Sequence, residues 1–183
     1  QKGDKLELSD KGDGRFTFKM PADRVEVKVS FKLIGAKPEV PAFTDVPADA
    51  YYADAVKWAV EQGITLGDSA DTFAPNASCT RAQMATFLWR ASGSPEFEGV
   101  NPFADVSAGA YYYDAVLWAA EKNITNGTAA AAFSPDGLLT RGQAVTLLWR
   151  ANGSPVIHRD INFDDVPADA YYAEAVRWAV SEG

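Results

Sequence analysis

The chain has 183 residues, 17 basic against 25 acidic side chains, and a formal net charge of −8. An acidic chain without a clustered run of Lys and Arg is a poor partner for nucleic acid or for an anionic polymer taken as a whole, since neutralising phosphates takes local positive charge; an anion has to be held at a local site. Hydrophobic residues make up 47%, enough for a packed core, yet no run reaches the ~20 apolar residues of a membrane-spanning helix.

The chain opens at Gln1 without Met or a visible signal peptide, which suggests a mature product or an excised fragment. Up to about residue 36 the pattern alternates. Phe16 and Phe18, then Val25, Val27, Val29 and Phe31, fall on every second position, the signature of half-buried strands. "DKGDG" and "MPAD" supply turn residues between them. Two or three strands are marginal alone, so residues 1–36 read as a β-hairpin or the end of a larger β domain. Residues 37–42 read as a linker.

From Phe43 the sequence repeats itself. "F-x-D-V" starts at Phe43, Phe103 and Phe163, sixty residues apart, and all five tryptophans keep that period. This gives a repeat at 43–102, a second at 103–162 and a partial third at 163–183. Each opens with a helical stripe: Tyr52, Ala55, Val56, Ala59 and Val60 in the first, Tyr112, Ala115, Val116, Ala119 and Ala120 in the second. Asp49 is the expected N-cap and Gly63 the C-terminal stop, with Asn123 in the glycine's place one repeat on. A long loop follows, which Phe73 and Phe133 are expected to pin to the core.

A second helix then starts at Thr80-Arg81-Ala82-Gln83 and again at Thr140-Arg141-Gly142-Gln143. Thr followed three residues later by Gln is a capping box: the hydroxyl accepts the N3 amide and the Gln side chain accepts the N-cap amide. Five helices follow from the pattern. Like units with incomplete apolar faces gain stability by packing on one another, and three copies point to a closed pseudo-threefold arrangement. The fold class expected is mainly α, with a small N-terminal β segment.

Arg81 and Arg141 occupy the first turn of a helix, where the dipole disfavours a cation by about 0.3–1 kcal/mol. The placement becomes an advantage when an anion sits between guanidinium and free amides, for both then converge on one carboxylate or phosphate. A cation lying in solvent or paired with Asp45 or Asp105 is the plainer alternative. Tyr51 and Tyr111, with Trp58 and Trp118 seven residues on, are candidates to stack on a ligand, though aromatics at helical spacing also make core. Asp45, Asp105 and Asp165 suit capping or loop hydrogen bonds better than a metal. Cys79, the single cysteine, has Leu139 as its counterpart and reads as a small apolar residue. His158 reads as solvated. No nucleophile elbow, phosphate loop, metal-binding pair or paired-acid constellation is present, so no catalytic residue, metal or cofactor is expected.

"FTDVPADAYYADAVKWAVEQGI", the loop with "F-x-P", then "TRAQ" and "LWR" together resemble the S-layer homology (SLH) motif, from Phe43 to Gly183. "GDGRFTFKMPADRVEVKVSF" is similar to a β-rich segment of large bacterial surface proteins. The resemblance implies an extracellular, noncovalent cell-wall anchor: triplets of such repeats fold as a pseudo-trimer and bind secondary cell-wall polysaccharide, often carrying pyruvylated sugars. The family's "TRAE" arginine is a principal ligand contact and maps here to Arg81 and Arg141. Gln83 and Gln143 replace its glutamate, and Gly142 replaces its alanine. The ligand set implied is Arg81, Arg141, Thr80, Thr140, Gln83, Gln143, Tyr51, Tyr111, Trp58 and Trp118. Two further functions stay open beside it. One is a self-assembly or protein-interaction module, with this chain or other surface proteins as partners. The other is a wall-polymer hydrolase.

Overall fold

The computed structural model describes residues 9–10, 16–17, 43–97, 99–158, 160–161 and 163–182. The chain divides into two compact units, Gln1–Ala36 and Lys37–Gly183. In the first, β1 (Ser9–Asp10) and β2 (Phe16–Thr17) pair antiparallel, Ser9 opposite Thr17 and Asp10 opposite Phe16. That pairing flanks the "DKGDG" turn signal. The expected alternation at Phe18, Val25, Val27, Val29 and Phe31 lies outside the described residues.

The second unit is helical. Its described elements are α1 (Ala53–Glu61), α2 (Arg81–Ala91), α3 (Tyr113–Glu121), α4 (Arg141–Ala151) and α5 (Ala173–Glu182). The mainly α class read from the repeat is what the structure has.

The start of the first helix is a correction. Asp49 is not its N-cap: α1 begins at Ala53, with Tyr52 at the cap position and no side chain accepting there. Two hydrogen-bonded turns come first, Ala50 N–H to the Pro47 carbonyl and Ala53 N–H to the Ala50 carbonyl. They bond backbone to backbone, and the second satisfies the first helical amide, that of Ala53, without a side chain. The same pair of turns precedes α3 at Ser107 and Ala110, and α5 at Pro167 and Ala170. The exits follow expectation. Gly63 has φ +69° and Asn123 φ +57°, both in the left-handed region that ends a helix cheaply only for such residues.

Helices pair across repeat boundaries: α2 packs on α3, α4 on α5, and α2 also meets α4. The core between α2 and α3 contains Ala82, Ala85, Phe103, Val106, Val116, Leu117 and Phe133, all buried. Leu88, Trp118, Ala119, Ile124 and Leu147 continue it. In α1, Val56 and Val60 instead pack with Phe43 and the half-buried Val46, Tyr52 and Phe73 of their own repeat. Phe73 and Phe133 pin their loops as expected, each tilted against the Phe that opens its repeat, with centroids 5.7 Å and 5.6 Å apart. Burying such a ring is worth about 1.5–3 kcal/mol. Gly127, at φ +77°, lets the loop pass so close that an added Cβ would lie 2.7 Å from the Phe103 ring and 2.4 Å from the Ala132 carbonyl.

Candidate functional site: the starts of α2 and α4

Both capping boxes form. Thr80 Oγ1 accepts the Gln83 amide at 3.2 Å and Gln83 Oε1 accepts the Thr80 amide at 2.8 Å. Thr140 and Gln143 repeat this at 3.2 Å and 3.0 Å. In each helix the boxes satisfy the N-cap and N3 amides and leave those of N1 and N2.

At α2 the neighbouring repeat takes these amides. Arg81 N–H donates to the Gly137 carbonyl at 2.9 Å and Ala82 N–H to the Pro135 carbonyl at 3.0 Å. The Arg81 side chain follows. Its Nε donates to the Phe133 carbonyl at 2.7 Å, Nη2 donates to Thr125 Oγ1 at 3.3 Å, and the guanidinium carbon sits 4.8 Å from the Phe133 ring centre. Arg81 is 8% exposed. Burial pulls its pKa down, and Asp105 partly offsets this. Asp105 itself accepts the amides of Phe133 and Ser134, which hold its carboxyl below the usual range, with Arg81 a smaller contributor. Asp45 does the same for Phe73 and Ala74 in the first repeat.

At α4 those partners are absent among the described residues. Arg141 is exposed, and neither its amide nor that of Gly142 meets an acceptor there. The helix start opens onto a groove of about 760 Å³ between α4 and α5, lined by Thr140, Arg141, Val145, Phe163, Tyr172 and Val176 among others. Phe163 is 50% exposed, whereas Phe43 and Phe103 at the same repeat position are 7% and 6% exposed. Gly142 leaves the Tyr172 ring close to the helix: an added Cβ would stand 2.9 Å from Tyr172 Cδ1.

The aromatic candidates separate. Tyr51, Tyr111 and Tyr171 are exposed, each edge-on to the tyrosine that follows it at about 5 Å. Desolvation first, then the neighbouring Tyr112, Asp136 and Cys79, push Tyr111 up. Trp118 is core at 5% exposure while Trp58 is 57% exposed, because α2 covers α3 at that position. Cys79 is half-buried, and burial raises its pKa and keeps it a thiol.

Two further arginines, Arg90 and Arg150, keep the same period. Arg90 and Arg150 donate to the carbonyls of Ile64 and Ile124 at 3.3 Å and 3.4 Å, tying each loop start to the second helix of its repeat. Their recurrence in "LWR" was the available signal. Among the described residues, no three His, Cys, Asp or Glu side chains gather as a metal site, and no helix is long and apolar enough to cross a membrane.

Cross-boundary helix pairs, pinned loops and a capped Thr-Arg helix start define a helical repeat unit. The chain carries S-layer homology domains: the family model matches residues 42–85 and 102–145. It is 38% identical over 98 residues to the "Surface-layer 125 kDa protein" of Lysinibacillus sphaericus, covering 54% of this chain and 8% of that protein. It is 31% identical over 121 residues to "S-layer protein sap" of Bacillus anthracis, 62% and 15% respectively. It is also 32% identical over 126 residues to "Exoglucanase XynX" of Acetivibrio thermocellus, 64% and 12%. The chain thus spans under a sixth of these relatives' length. The module is a cell-wall anchoring one, and its place is the bacterial cell surface.

Proposed function

We propose that the module holds an acidic cell-wall polysaccharide, such as one with pyruvylated sugars, at the Thr-Arg helix starts, with Arg141 as the contact open to it. The observation that carries this is the exposed Arg141 at a helix start whose first two amides, its own and that of Gly142, have no acceptor among the described residues. A fork-shaped cation and helix-start amides together suit a carboxylate. Thr140 and Gln143 hold that helix start in shape through the capping box. The equivalent Arg81 is engaged by Phe133 and Thr125, so it contributes to a ligand only by exchanging those partners. Tyr51, Tyr111 and Trp58 offer exposed faces for sugar rings. In this reading residues 1–36 belong to a separate β unit, 37–42 link it to the repeats, and catalysis is no part of the chain.

The test is retention on purified wall glycan, with and without its acidic substituents. The intact chain is retained by the acidic glycan, and Arg141→Ala weakens retention roughly tenfold, the scale of a lost charge-assisted pair. Equal retention of the two chains would reject the assignment. The exposure of Trp58 on α1 favours a second reading, association with another surface protein. Sedimentation that depends on protein concentration, and is abolished by Trp58→Ala, would support it.

A further inference from the structure

Asparagine is a thermolabile residue, and most so before glycine, which has no side chain to keep its backbone nitrogen away from the asparagine Cγ. The sequence has two such pairs, Asn126-Gly127 and Asn152-Gly153, and the structure treats them differently. Asn152 Nδ2 donates to the Leu148 carbonyl at 2.9 Å and the Gly153 amide to the Arg150 carbonyl at 3.0 Å. Side chain and nucleophile are therefore both tied to α4. The Asn126 side chain is exposed and makes no hydrogen bond among the described residues. Only the Gly127 amide is held, by Thr125 Oγ1 at 3.2 Å, and that hydroxyl also accepts Arg81 Nη2 from the other repeat at 3.3 Å. Arg81 thus fixes the hydroxyl that holds the nucleophile. The first repeat builds the same turn, the Gly67 amide on Thr65 Oγ1 at 3.2 Å, with Leu66 where Asn126 stands.

We propose that Asn126 is a site of spontaneous deamidation, held in check by the hydrogen-bond chain from Arg81 through Thr125 to Gly127. When the joint between the repeats opens locally, Thr125 releases the Gly127 amide. That nitrogen, deprotonated by hydroxide, attacks Asn126 Cγ. The new C–N bond forms as the Cγ–Nδ2 bond breaks, and ammonia leaves with a proton from water. Water then opens the succinimide at either carbonyl, giving aspartate or isoaspartate. Amide and water are consumed, carboxylate and ammonium are formed, and nothing is oxidised. Isoaspartate puts one extra methylene into the main chain beside Gly127. That glycine has no room to move: an added Cβ would already lie 2.4 Å from the Ala132 carbonyl and 2.7 Å from the Phe103 ring. The lengthened chain shifts the loop that carries Phe133, whose carbonyl holds Arg81. An opening that ends in this reaction is irreversible and leaves the joint weaker than before.

The experiment ages the whole chain at mildly alkaline pH without glycan and reads the amide-to-acid mass gain at each asparagine by tandem mass spectrometry. Asn126 is expected to convert ahead of Asn152, to give both aspartyl and isoaspartyl products, and to react more slowly than in a free peptide of residues 123–141. Thr125→Val keeps the side-chain shape and removes the acceptor; it speeds conversion several-fold in a chain that circular dichroism shows to be folded. Material carrying isoaspartate melts at lower temperature than fresh chain. Asn126→Leu, with the residue of the first repeat, neither converts at that position nor loses its melting midpoint on ageing. Conversion of Asn152 ahead of Asn126, or of Asn126 as fast in the chain as in the free peptide, overturns the proposal. So does a folded Thr125→Val chain with an unchanged rate. If that variant does not fold, the two comparisons in the parent chain decide alone.

Discussion

The Arg81 guanidinium stands 4.8 Å from the centre of the Phe133 ring, and its Nε donates at 2.7 Å to the carbonyl of that same residue. One phenylalanine of the second repeat thus gives both a π face and an oxygen to a cation of the first. A desolvated cation–π contact is worth about 2 kcal/mol and a hydrogen bond from a charged donor about 1.5–3 kcal/mol. Together they offset the helix-dipole penalty at that position and the cost of burying the charge.

Arg81→Ala is therefore expected to destabilise the repeat unit by about 2–4 kcal/mol, since it leaves the Phe133 carbonyl and Thr125 without a donor. Thermal melts should show a midpoint lower by roughly 5–10 °C for a unit of this size. Arg81→Lys recovers only part, because a point charge lacks the planar fork. Arg141→Ala should stay within about 0.5 kcal/mol of the parent. Equal losses at the two positions would contradict the clamp.

Asp45 and Asp105 have depressed pKa values, set first by the Phe73 and Phe133 amides respectively. The folded chain therefore binds their protons at lower pH than the unfolded chain does. Their contribution is fully present above the ordinary carboxylate range and is lost as pH falls through the depressed values. Urea midpoints should be flat above about pH 5 and fall below about pH 4. The Asp45→Asn, Asp105→Asn double variant should be weaker at neutral pH and less acid-sensitive. An unchanged acid limb would count against these carboxylates.

Thr80→Ala and Thr140→Ala each remove the oxygen that accepts an N3 amide. Each should cost about 1 kcal/mol. Hydrogen exchange at the Gln83 and Gln143 amides gives the local readout, with protection expected to drop at the mutated helix alone.

The first-helix tryptophans of the two complete repeats, Trp58 and Trp118, should respond differently. Trp118→Ala empties part of the core and should cost about 3–5 kcal/mol. Trp58→Ala should cost less than about 1 kcal/mol, because more than half of its surface is in water (57% exposed). Acrylamide quenching of single-tryptophan variants checks the same contrast without relying on stability.

Much of this was legible from periodicity. The helices, both capping boxes, the positive-φ exits at Gly63 and Asn123, and the pinning of the loops by Phe73 and Phe133 follow from local residue chemistry. Two features were not. The N-cap assigned to Asp49 failed because consecutive backbone turns through Ala50 move the helix start to Ala53, and turns made by backbone atoms leave little trace in side-chain identity. The division between Arg81 and Arg141 was hidden because what buries Arg81 lies 44 and 52 residues away, at Thr125 and Phe133. The four-residue windows around the two arginines are nearly the same. Only the neighbour in space tells them apart.

That neighbour has a consequence for how the chain tolerates change. Its sequence is periodic but its mutational sensitivity is not: a substitution harmless at one copy can be ruinous at the next, sixty positions along. Drift should accordingly erode the two halves of the repeat unevenly, sparing those side chains gripped by the following unit. Any attempt to shuffle or graft a single unit must carry along the half of its lock that resides in the other.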